Sequence, residues 1–355
     1  MIEEIADVDP GSLSRFDSII DVRSPAEFAE DRLPGAINLP VLSNEERALV
    51  GTIYVRDSHF LARRIGAAIV ARNIAAHLDD ALAEKPARYH PLLYCWRGGM
   101  RSNAMASVLS QIGWRVGVLK GGYRTWRRSV VAALRSSDEP LKILLIDGQT
   151  GTAKTELLRL LEARGMQTLD LEALAAHRGS LFGGYQAREQ PSQKFFESEL
   201  WTRLARFDAS RPIAVEAESS RIGRCATPPR LWKAMLDASR VILRADVDAR
   251  ADYLLRAYAD LVADPGIAAA AVERLRPFHA KERIEEWLAM AEAGEFRNLA
   301  TGLMREHYDP AYERSRRRRG DRPAAELRLN ALDDADLSSA AGRVLLVAEE
   351  VFGRL

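Results

Sequence analysis

Two apolar segments of this chain each run directly into a glycine-containing loop and then into a helix. Residues 91–94 precede Cys95 and a loop over residues 96–101, and residues 141–146 precede a loop over residues 147–155. Helical patterns follow both loops. A buried strand that ends in a loop and a helix is the repeating unit of parallel α/β sheets. The chain is therefore predicted to be an α/β protein.

The chain length and one polar segment predict two domains. The sequence has 355 residues, and a domain has roughly 150 residues. Residues 135–140 are polar and end in a proline, so we place the boundary there. We expect a parallel-sheet domain over residues 1–135 and a second α/β domain over residues 136–355. The second domain is expected to have a helical C-terminal part, because residues 251–304 are rich in Ala, Leu, Glu and Arg.

The composition argues against several classes of protein. Lys and Arg total 51 and Asp and Glu total 50, so the net charge of +1 predicts no nucleic-acid or membrane partner unless a local patch provides one. Two cysteines without a CxxC pair favour neither a disulfide framework nor a structural zinc site. The N-terminus is acidic, and no run of about 18 apolar residues occurs. We expect no signal peptide, no membrane span and a cytoplasmic location.

Cys95 lies between a predicted strand and a predicted helix start. Loop N–H groups and a helix N-terminus favour an anion there, and comparable sites lower the pKa of a thiol from about 8.5 to roughly 3.5–7.5. The thiolate would then act as a nucleophile. The alternative is a buried, inert cysteine, the usual state of a lone Cys. The predicted catalytic residues are Cys95, Arg97, Gly98, Gly99 and Arg101.

The second loop matches the Walker A pattern G-x-x-x-x-G-K-[ST] with one substitution. We expect Lys154 to neutralise a terminal phosphate and Thr155 to hold a magnesium ion, while loop N–H groups bind phosphate oxygens. Ala153 stands where glycine is usual, and we expect a helix-start conformation with its methyl group crowding the phosphates. The alternative is a fortuitous glycine-rich turn. The predicted phosphate-binding residues are Gly148, Thr150, Gly151, Thr152, Lys154 and Thr155.

A carboxylate after a later buried strand would complete such a phosphate site. Glu216, which follows residues 213–215, is the first candidate for acid or metal support, and Glu218 is the second. The alternative for each is a surface carboxylate or a structural ion pair. Residues 177–185 combine glycine, arginine and aromatic residues, which fits either a mobile loop over the phosphate site or a plain connection.

The strongest local basic patch lies near residue 316. Five arginines within six residues would neutralise nucleic-acid phosphates and give salt-dependent binding. The alternative is a solvated turn. Cys225 has no partner motif, and we interpret it as structural or incidental. The predicted nucleic-acid-binding residues are Arg314, Arg316, Arg317, Arg318 and Arg319.

The first 130 residues resemble a rhodanese domain in the order and spacing of their motifs. The matching segments are residues 21–28, residues 33–40, the Cys95 loop and residues 113–123. The resemblance implies that the cysteine carries a transferable sulfur or selenium. The Cys-x5-Arg spacing to Arg101 is wider than in usual sulfurtransferases and also resembles rhodanese-fold phosphatases. A phosphatase therefore stays open for this domain taken alone.

A rhodanese-like domain followed by a P-loop NTPase-like domain resembles bacterial tRNA 2-selenouridine synthases over essentially the whole chain. Further matching segments are residues 95–102, 177–180, 218–223 and 307–310. The resemblance implies S-geranylation of 2-thiouridine at the tRNA wobble position from geranyl diphosphate. Selenium from selenophosphate would then replace the S-geranyl group.

The resemblance also implies roles and partners. The P-loop, with Mg²⁺ as a further expected component, would stabilise the leaving diphosphate, and Cys95 would relay selenium as a selanyl adduct. The arginine run would hold the anticodon region of tRNA, and a selenophosphate synthetase would supply the donor. Two other classes stay open: a nucleotide-dependent sulfurtransferase or kinase, and a non-enzymatic sensor fused to a nucleotide-binding switch.

Overall fold

The computed structural model describes residues 1–135, 140–179, 189–319 and 323–353. The chain divides into two compact units. The first unit is Met1–Ser137 with Pro191–Arg206, and the second is Asp138–Gln190 with Phe207–Leu355. The expected boundary between residues 135 and 136 stays a prediction. No pattern in the sequence indicated that residues 191–206 would join the first unit.

Strands and helices alternate along most of the chain. The strands are β1 (Ile2–Ile5), β2 (Ser18–Asp21), β3 (Ile37–Asn38), β4 (Pro91–Tyr94), β5 (Val116–Leu119), β6 (Ile143–Gly148), β7 (Gln167–Leu169), β8 (Ile213–Glu216), β9 (Arg221–Ile222), β10 (Cys225–Ala226), β11 (Ser239–Ala245) and β12 (Ala325–Leu329).

Most of the region between β11 and β12 is helical, as we predicted from the composition of residues 251–304. They are α1 (Pro10–Leu13), α2 (Pro25–Glu30), α3 (Asn44–Arg56), α4 (His59–Asp79), α5 (Met100–Gln111), α6 (Tyr123–Arg135), α7 (Lys154–Ala163), α8 (Leu171–Ala175), α9 (Gln193–Leu204), α10 (Pro229–Leu236), α11 (Val247–Ala257), α12 (Ala259–Val262), α13 (Pro265–Glu273), α14 (Lys281–Glu292), α15 (Phe296–Leu303), α16 (Asp309–Arg319) and α17 (Asp334–Phe352), with a π-helical turn at Met304–Tyr308 between α15 and α16.

The first unit is built on a five-stranded parallel sheet in the order β1-β5-β4-β2-β3. Every residue of β4 is buried, as expected for a strand covered on both faces. Because the strands are parallel, their carboxyl ends meet at one edge, which places Asp21 and Cys95 at the same edge. The helix α9 packs in this unit, where the Trp126 indole donates to Ser198 Oγ at 3.1 Å.

The second unit is built on a five-stranded parallel sheet in the order β12-β11-β6-β8-β7. Its central strand β6 is buried at every position, and α7 and α17 pack apolar side chains against the sheet. The helices α13 to α15 form a further apolar cluster around Trp287, which is fully buried. The predicted α/β class, with a rhodanese-like unit, a P-loop unit and a helical C-terminal part, is confirmed.

No helix among the described residues has the length and apolar character needed to cross a membrane.

A buried ion pair lies at the carboxyl edge of the first sheet. The Arg23 guanidinium, 1% exposed, donates to Asp21 Oδ2 and to the Asp31 carbonyl, both at 2.6 Å. It also lies over the Tyr123 ring, with its central carbon 4.1 Å from the ring centroid. Because Asp21 is fully buried, its charge depends on Arg23 for compensation.

Arg23→Ala is expected to lower the free energy of unfolding by about 3–5 kcal/mol, since it leaves the Asp21 charge buried without its partner. Arg115→Ala is the matched control, because Arg115 is 67% exposed and lies 3.7 Å from Glu3. That change should cost less than about 1 kcal/mol. Urea unfolding followed by circular dichroism measures both, and equal midpoints for the two variants would contradict the assignment.

Candidate functional site

The Cys95 thiol lies at the end of β4, in the loop that leads into α5. It is 4% exposed. Its Sγ accepts hydrogen bonds from the Gly99 N–H and from the Ser102 hydroxyl, both at 3.3 Å. Donors that converge on a sulfur stabilise its thiolate form.

The pKa of Cys95 lies below its ordinary value. Burial alone would raise it, but the hydrogen bonds from the Ser102 hydroxyl and from the backbone of Ser102, Arg97 and Gly99 outweigh that effect. A thiol of this kind is a better nucleophile near neutral pH than an ordinary buried cysteine. The predicted loop N–H donors are therefore present around the thiol, and its role as a nucleophile stays a prediction.

Two glycines let the Cys95 loop approach the start of α6. Gly98 has φ +64°, and a Cβ there would lie 2.5 Å from the Leu119 carbonyl oxygen. Gly122 has φ +60°, and its Cβ would lie 2.2 Å from the Cys95 carbonyl oxygen. The Tyr123 N–H donates to that same carbonyl at 2.9 Å. The loop conformation thus requires glycine at both positions, and Gly122 adds to the residues that we predicted.

The two arginines of this loop differ in their surroundings. Arg97 is exposed. Arg101 donates to Glu27 Oε2 at 3.0 Å, and Arg47 also pairs with Glu27, at 3.1 Å. Glu27 completes the capping box of α2. Burial raises its pKa, but Arg101 and the other donors outweigh this and hold it below the usual range. The catalytic roles of Arg97 and Arg101 stay predictions.

The phosphate loop connects β6 to α7 in the second unit. The Lys154 Nζ donates to the Gly148 carbonyl at 3.2 Å, and the Thr152 hydroxyl donates to the Gln149 carbonyl at 2.8 Å. The Thr155 hydroxyl donates to Glu216 Oε2 at 3.3 Å. The strand–loop–helix arrangement that the Walker A pattern requires is therefore present.

Ala153 does not have the helix-start conformation that we expected. Its backbone is left-handed, with φ +59° and ψ +33°. Its side chain is 3% exposed and belongs to the apolar cluster that includes Leu157 and Leu161. The left-handed backbone explains why glycine is usual here. Ala153 also lines the polar pocket over the loop, so crowding of a phosphate by its methyl group stays a prediction.

Three carboxylates meet beside the phosphate loop. Glu172, Glu216 and Glu218 each place an oxygen within 4.8 Å of the others. Glu216 and Glu218 are the acids that the sequence indicated. Glu172, on the short helix α8, was missed, although it follows β7, the neighbour of β8 in the sheet. The order of strands, which the sequence did not reveal, brings it to this edge.

Burial and mutual repulsion disfavour the ionised forms of these carboxylates. Burial, followed by the negative charge of Glu218, raises the pKa of Glu172 to about 8, while Lys154 opposes the shift. Burial and the neighbouring acids also raise the pKa of Glu216. Burial raises the pKa of Glu218, against the opposing effect of Lys154. The cluster therefore favours either protons or a cation.

Arg250 supports the phosphate loop from α11. Its side chain is 4% exposed, donates to the Thr150 carbonyl at 3.1 Å, and forms a bidentate pair with Asp309 at 2.9 and 2.7 Å. Asp309 lies within residues 307–310, one of the segments that carry the family resemblance. This link was not predicted, because it joins parts of the chain that are far apart in sequence.

A polar pocket opens over the phosphate loop. It has an empty volume of about 1320 Å³, which includes its open mouth. Its lining includes Lys154, Arg159 and Arg178 together with Glu172 and Glu218. The pocket therefore presents positive charge for an anion and carboxylates for a cation. Residues 180–185 of the predicted mobile loop lie outside the described residues.

The arginine run forms the end of α16 and is not a turn. Arg314 and Arg317 are exposed, whereas Arg316 lies 3.8 Å from Glu313 and 4.0 Å from Glu326. The side chains of Arg318 and Arg319 lie outside the described residues. Binding of nucleic acid by this run stays a prediction.

Cys225 differs from Cys95 in its surroundings. It is 1% exposed in β10, and burial raises its pKa. These properties agree with a structural cysteine and not with a nucleophile.

Ser102→Ala is expected to raise the pKa of Cys95 by about one unit, since a hydrogen bond to a charged group contributes about 1.5 kcal/mol. The pH midpoint of Cys95 alkylation by iodoacetamide, measured in a Cys225→Ser background, should move upward accordingly. Ser107→Ala is the control, because Ser107 is exposed on the same helix and bonds the Asn103 carbonyl instead. An unchanged midpoint in Ser102→Ala would show that its hydroxyl does not stabilise the thiolate.

Two family models match successive parts of the chain. The model described as "Rhodanese-like domain" matches residues 8–129, and the model described as "tRNA 2-selenouridine synthase AAA domain" matches residues 141–283. Their order agrees with the two folds described above.

Curated relatives carry the same family name. The tRNA 2-selenouridine synthase of Marinobacter nauticus is 33% identical over 327 residues, which cover 83% of this chain and 87% of that protein. That of Shewanella loihica is 34% identical, covering 82% and 78%. The alignment with the Hahella chejuensis protein is 37% identical and covers 68% of this chain but 63% of the relative, less than two thirds of its length. Together with both family models, these relatives show that the chain belongs to the tRNA 2-selenouridine synthase family.

Proposed function

We propose that this protein modifies the wobble uridine of tRNA in two steps. The first step transfers a geranyl group from geranyl diphosphate to the sulfur of 2-thiouridine. The second replaces the S-geranyl group by selenium from selenophosphate. The observation that carries the proposal is that one chain of this family holds both a phosphate loop with Lys154 inside it and a Cys95 thiol with a lowered pKa.

In the first step the sulfur of 2-thiouridine attacks the allylic carbon of geranyl diphosphate. The C–S bond forms, the C–O bond breaks, the diphosphate leaves with the electron pair, and the uridine loses its N3 proton. The leaving group gains negative charge as the bond breaks. Lys154, Arg159 and Arg178 line the pocket that would receive it, and fixed positive charge stabilises such a transition state.

The acidic side of the pocket fits a divalent cation. Glu172, Glu216 and Glu218 offer carboxylate oxygens within 4.8 Å of one another, and Thr155 adds a hydroxyl beside Glu216. Oxygen ligands are those that Mg²⁺ prefers. When bound, Mg²⁺ would supply positive charge for the diphosphate oxygens. These four residues would hold it.

Glu172→Gln is expected to weaken the binding of Mn²⁺, used as a spectroscopic substitute for Mg²⁺, by about tenfold or more, because it removes one charged oxygen ligand. Electron paramagnetic resonance of free Mn²⁺ measures the affinity. Glu349→Gln makes the same substitution at an exposed position of α17 and should leave the affinity unchanged. Equal affinities in the two variants would remove Glu172 from the site.

The second step exchanges sulfur for selenium at C2 of the uridine. The C–Se bond forms, the C–S bond breaks, and geranylthiol leaves with a proton; water takes the phosphoryl group from selenium as phosphate. No oxidant is required for this overall exchange. We assign the phosphoryl transfer within this exchange to the Cys95 thiolate, which Gly99 and Ser102 stabilise: its S–P bond forms as the P–Se bond of selenophosphate breaks, selenide leaves and attacks C2, and water then cleaves the S–P bond to give phosphate. A selenophosphate synthetase would supply the donor, and the anticodon region of tRNA would be the partner.

Single substitutions in the purified protein should affect geranylation and selenation differently. Lys154→Ala should lower geranylation of 2-thiouridine tRNA by about a hundredfold or more, since it removes a charge from the leaving group. Cys95→Ser should abolish selenation and retain geranylation. Lys142→Ala, at an exposed lysine, and Cys225→Ser are the controls and should retain both steps. Loss of geranylation in both active-site variants would contradict the assignment. Mass spectrometry of the tRNA nucleosides measures the products of all four variants.

A further inference from the structure

An apolar pocket lies beside the phosphate pocket in the second unit. It has an empty volume of about 580 Å³, including its open mouth. The helices α11, α12, α13 and α15 and the π-helical turn contribute its walls. Characteristic lining residues are Leu254, Leu261, Ala268, Phe296, Leu299 and Leu303.

The two pockets adjoin each other. Thr150, Leu254, Tyr258 and Tyr308 line both of them. Thr150 belongs to the phosphate loop, and its carbonyl is held by Arg250 at 3.1 Å. A ligand with its anionic head beside Lys154 therefore has an apolar space within reach of its other end.

The polarity of the lining side chains determines which part of a ligand the apolar pocket can bind. Among the residues that line the apolar pocket, the only hydroxyl groups belong to Thr150, Tyr258 and Tyr308, which are three of the four shared residues. The remaining side chains are aliphatic, aromatic or thioether. A nucleobase would lose hydrogen bonds to water there without replacing them, which is unfavourable. A hydrocarbon chain loses none and gains from burial.

We propose that this pocket binds the hydrocarbon chain of the allylic diphosphate and limits its length; this inference rests on the proposed function. The helix α15 carries two of the residues that set the available space. Phe296 and Ala300 lie four residues apart and so face the same side of the helix. Both line the pocket, and both are partly buried. A larger side chain at position 300 would fill the space, and a smaller one at position 296 would extend it.

The test measures binding of geranyl diphosphate, farnesyl diphosphate and inorganic diphosphate to the full chain by calorimetry. The unaltered protein should bind geranyl diphosphate at least tenfold more tightly than inorganic diphosphate. Ala300→Phe should reduce that preference to below threefold without changing the affinity for inorganic diphosphate. Ala335→Phe, at an exposed alanine of α17, is the matched control and should keep the full preference.

Phe296→Ala provides a second and opposite change. It should shift the preference at least fivefold toward farnesyl diphosphate, whose chain is longer. This variant keeps the inference testable if Ala300→Phe does not fold. Full retention of the geranyl preference in folded Ala300→Phe, or an unchanged chain-length preference in Phe296→Ala, would overturn the assignment. A loss of ATP binding in Ala300→Phe, with no effect on geranyl diphosphate, would overturn it in favour of a nucleotide.

Failure of this inference is distinguishable from failure of the proposed function. If the protein geranylates tRNA and both pocket variants behave like the unaltered protein, the hydrocarbon chain binds elsewhere and only the pocket assignment is wrong. If the variants change prenyl diphosphate binding as expected but no tRNA is modified, the pocket assignment holds and the proposed tRNA reaction is wrong.

Discussion

The concentration of negative charge beside the phosphate loop is the constraint that shapes the second unit. Three carboxylates lie within 4.8 Å of one another, and burial raises the pKa of Glu172 to about 8. A cluster of carboxylates like this is stable only where protons, the Lys154 ammonium group or a bound cation compensate its negative charge. Because the carboxyl ends of β6, β8 and β7 meet at one edge, the sheet order places this charge where a phosphate ligand would bring more. A cation bound between the carboxylates and the phosphate ligand would compensate the negative charge of both.

The first unit is also built on a parallel sheet, but the carboxyl edge of its sheet has to stabilise the negative charge of a thiolate. At the carboxyl edge of its sheet a single sulfur is surrounded by hydrogen-bond donors, and the pKa of Cys95 falls although the thiol is buried. Glycine at positions 98 and 122 allows the backbone contacts that keep this loop in place. In the proposed reaction, the first unit would supply the nucleophilic sulfur and the second would bind the diphosphate leaving group.

The sequence predicted what depends on neighbouring residues and missed what depends on strand order. The Cys95 loop and the phosphate loop are short patterns between a strand and a helix, and both are present as predicted. Glu172 and Arg250 reach the phosphate loop from distant parts of the chain, so no local pattern marks them. The N-terminal strand β1 was missed because its acidic residues at an edge position look like a polar terminus. The conformation of Ala153 was predicted wrongly, since its left-handed backbone is set by the loop and not by the residue.

The central claim is that one chain carries out both chemical steps on the wobble uridine. The most direct measurement compares tRNA nucleosides by mass spectrometry from cells with and without the gene, grown with selenium. The account predicts that cells lacking the gene accumulate 2-thiouridine and lose both S-geranyl-2-thiouridine and 2-selenouridine. Identical amounts of all three nucleosides in the two strains would contradict it.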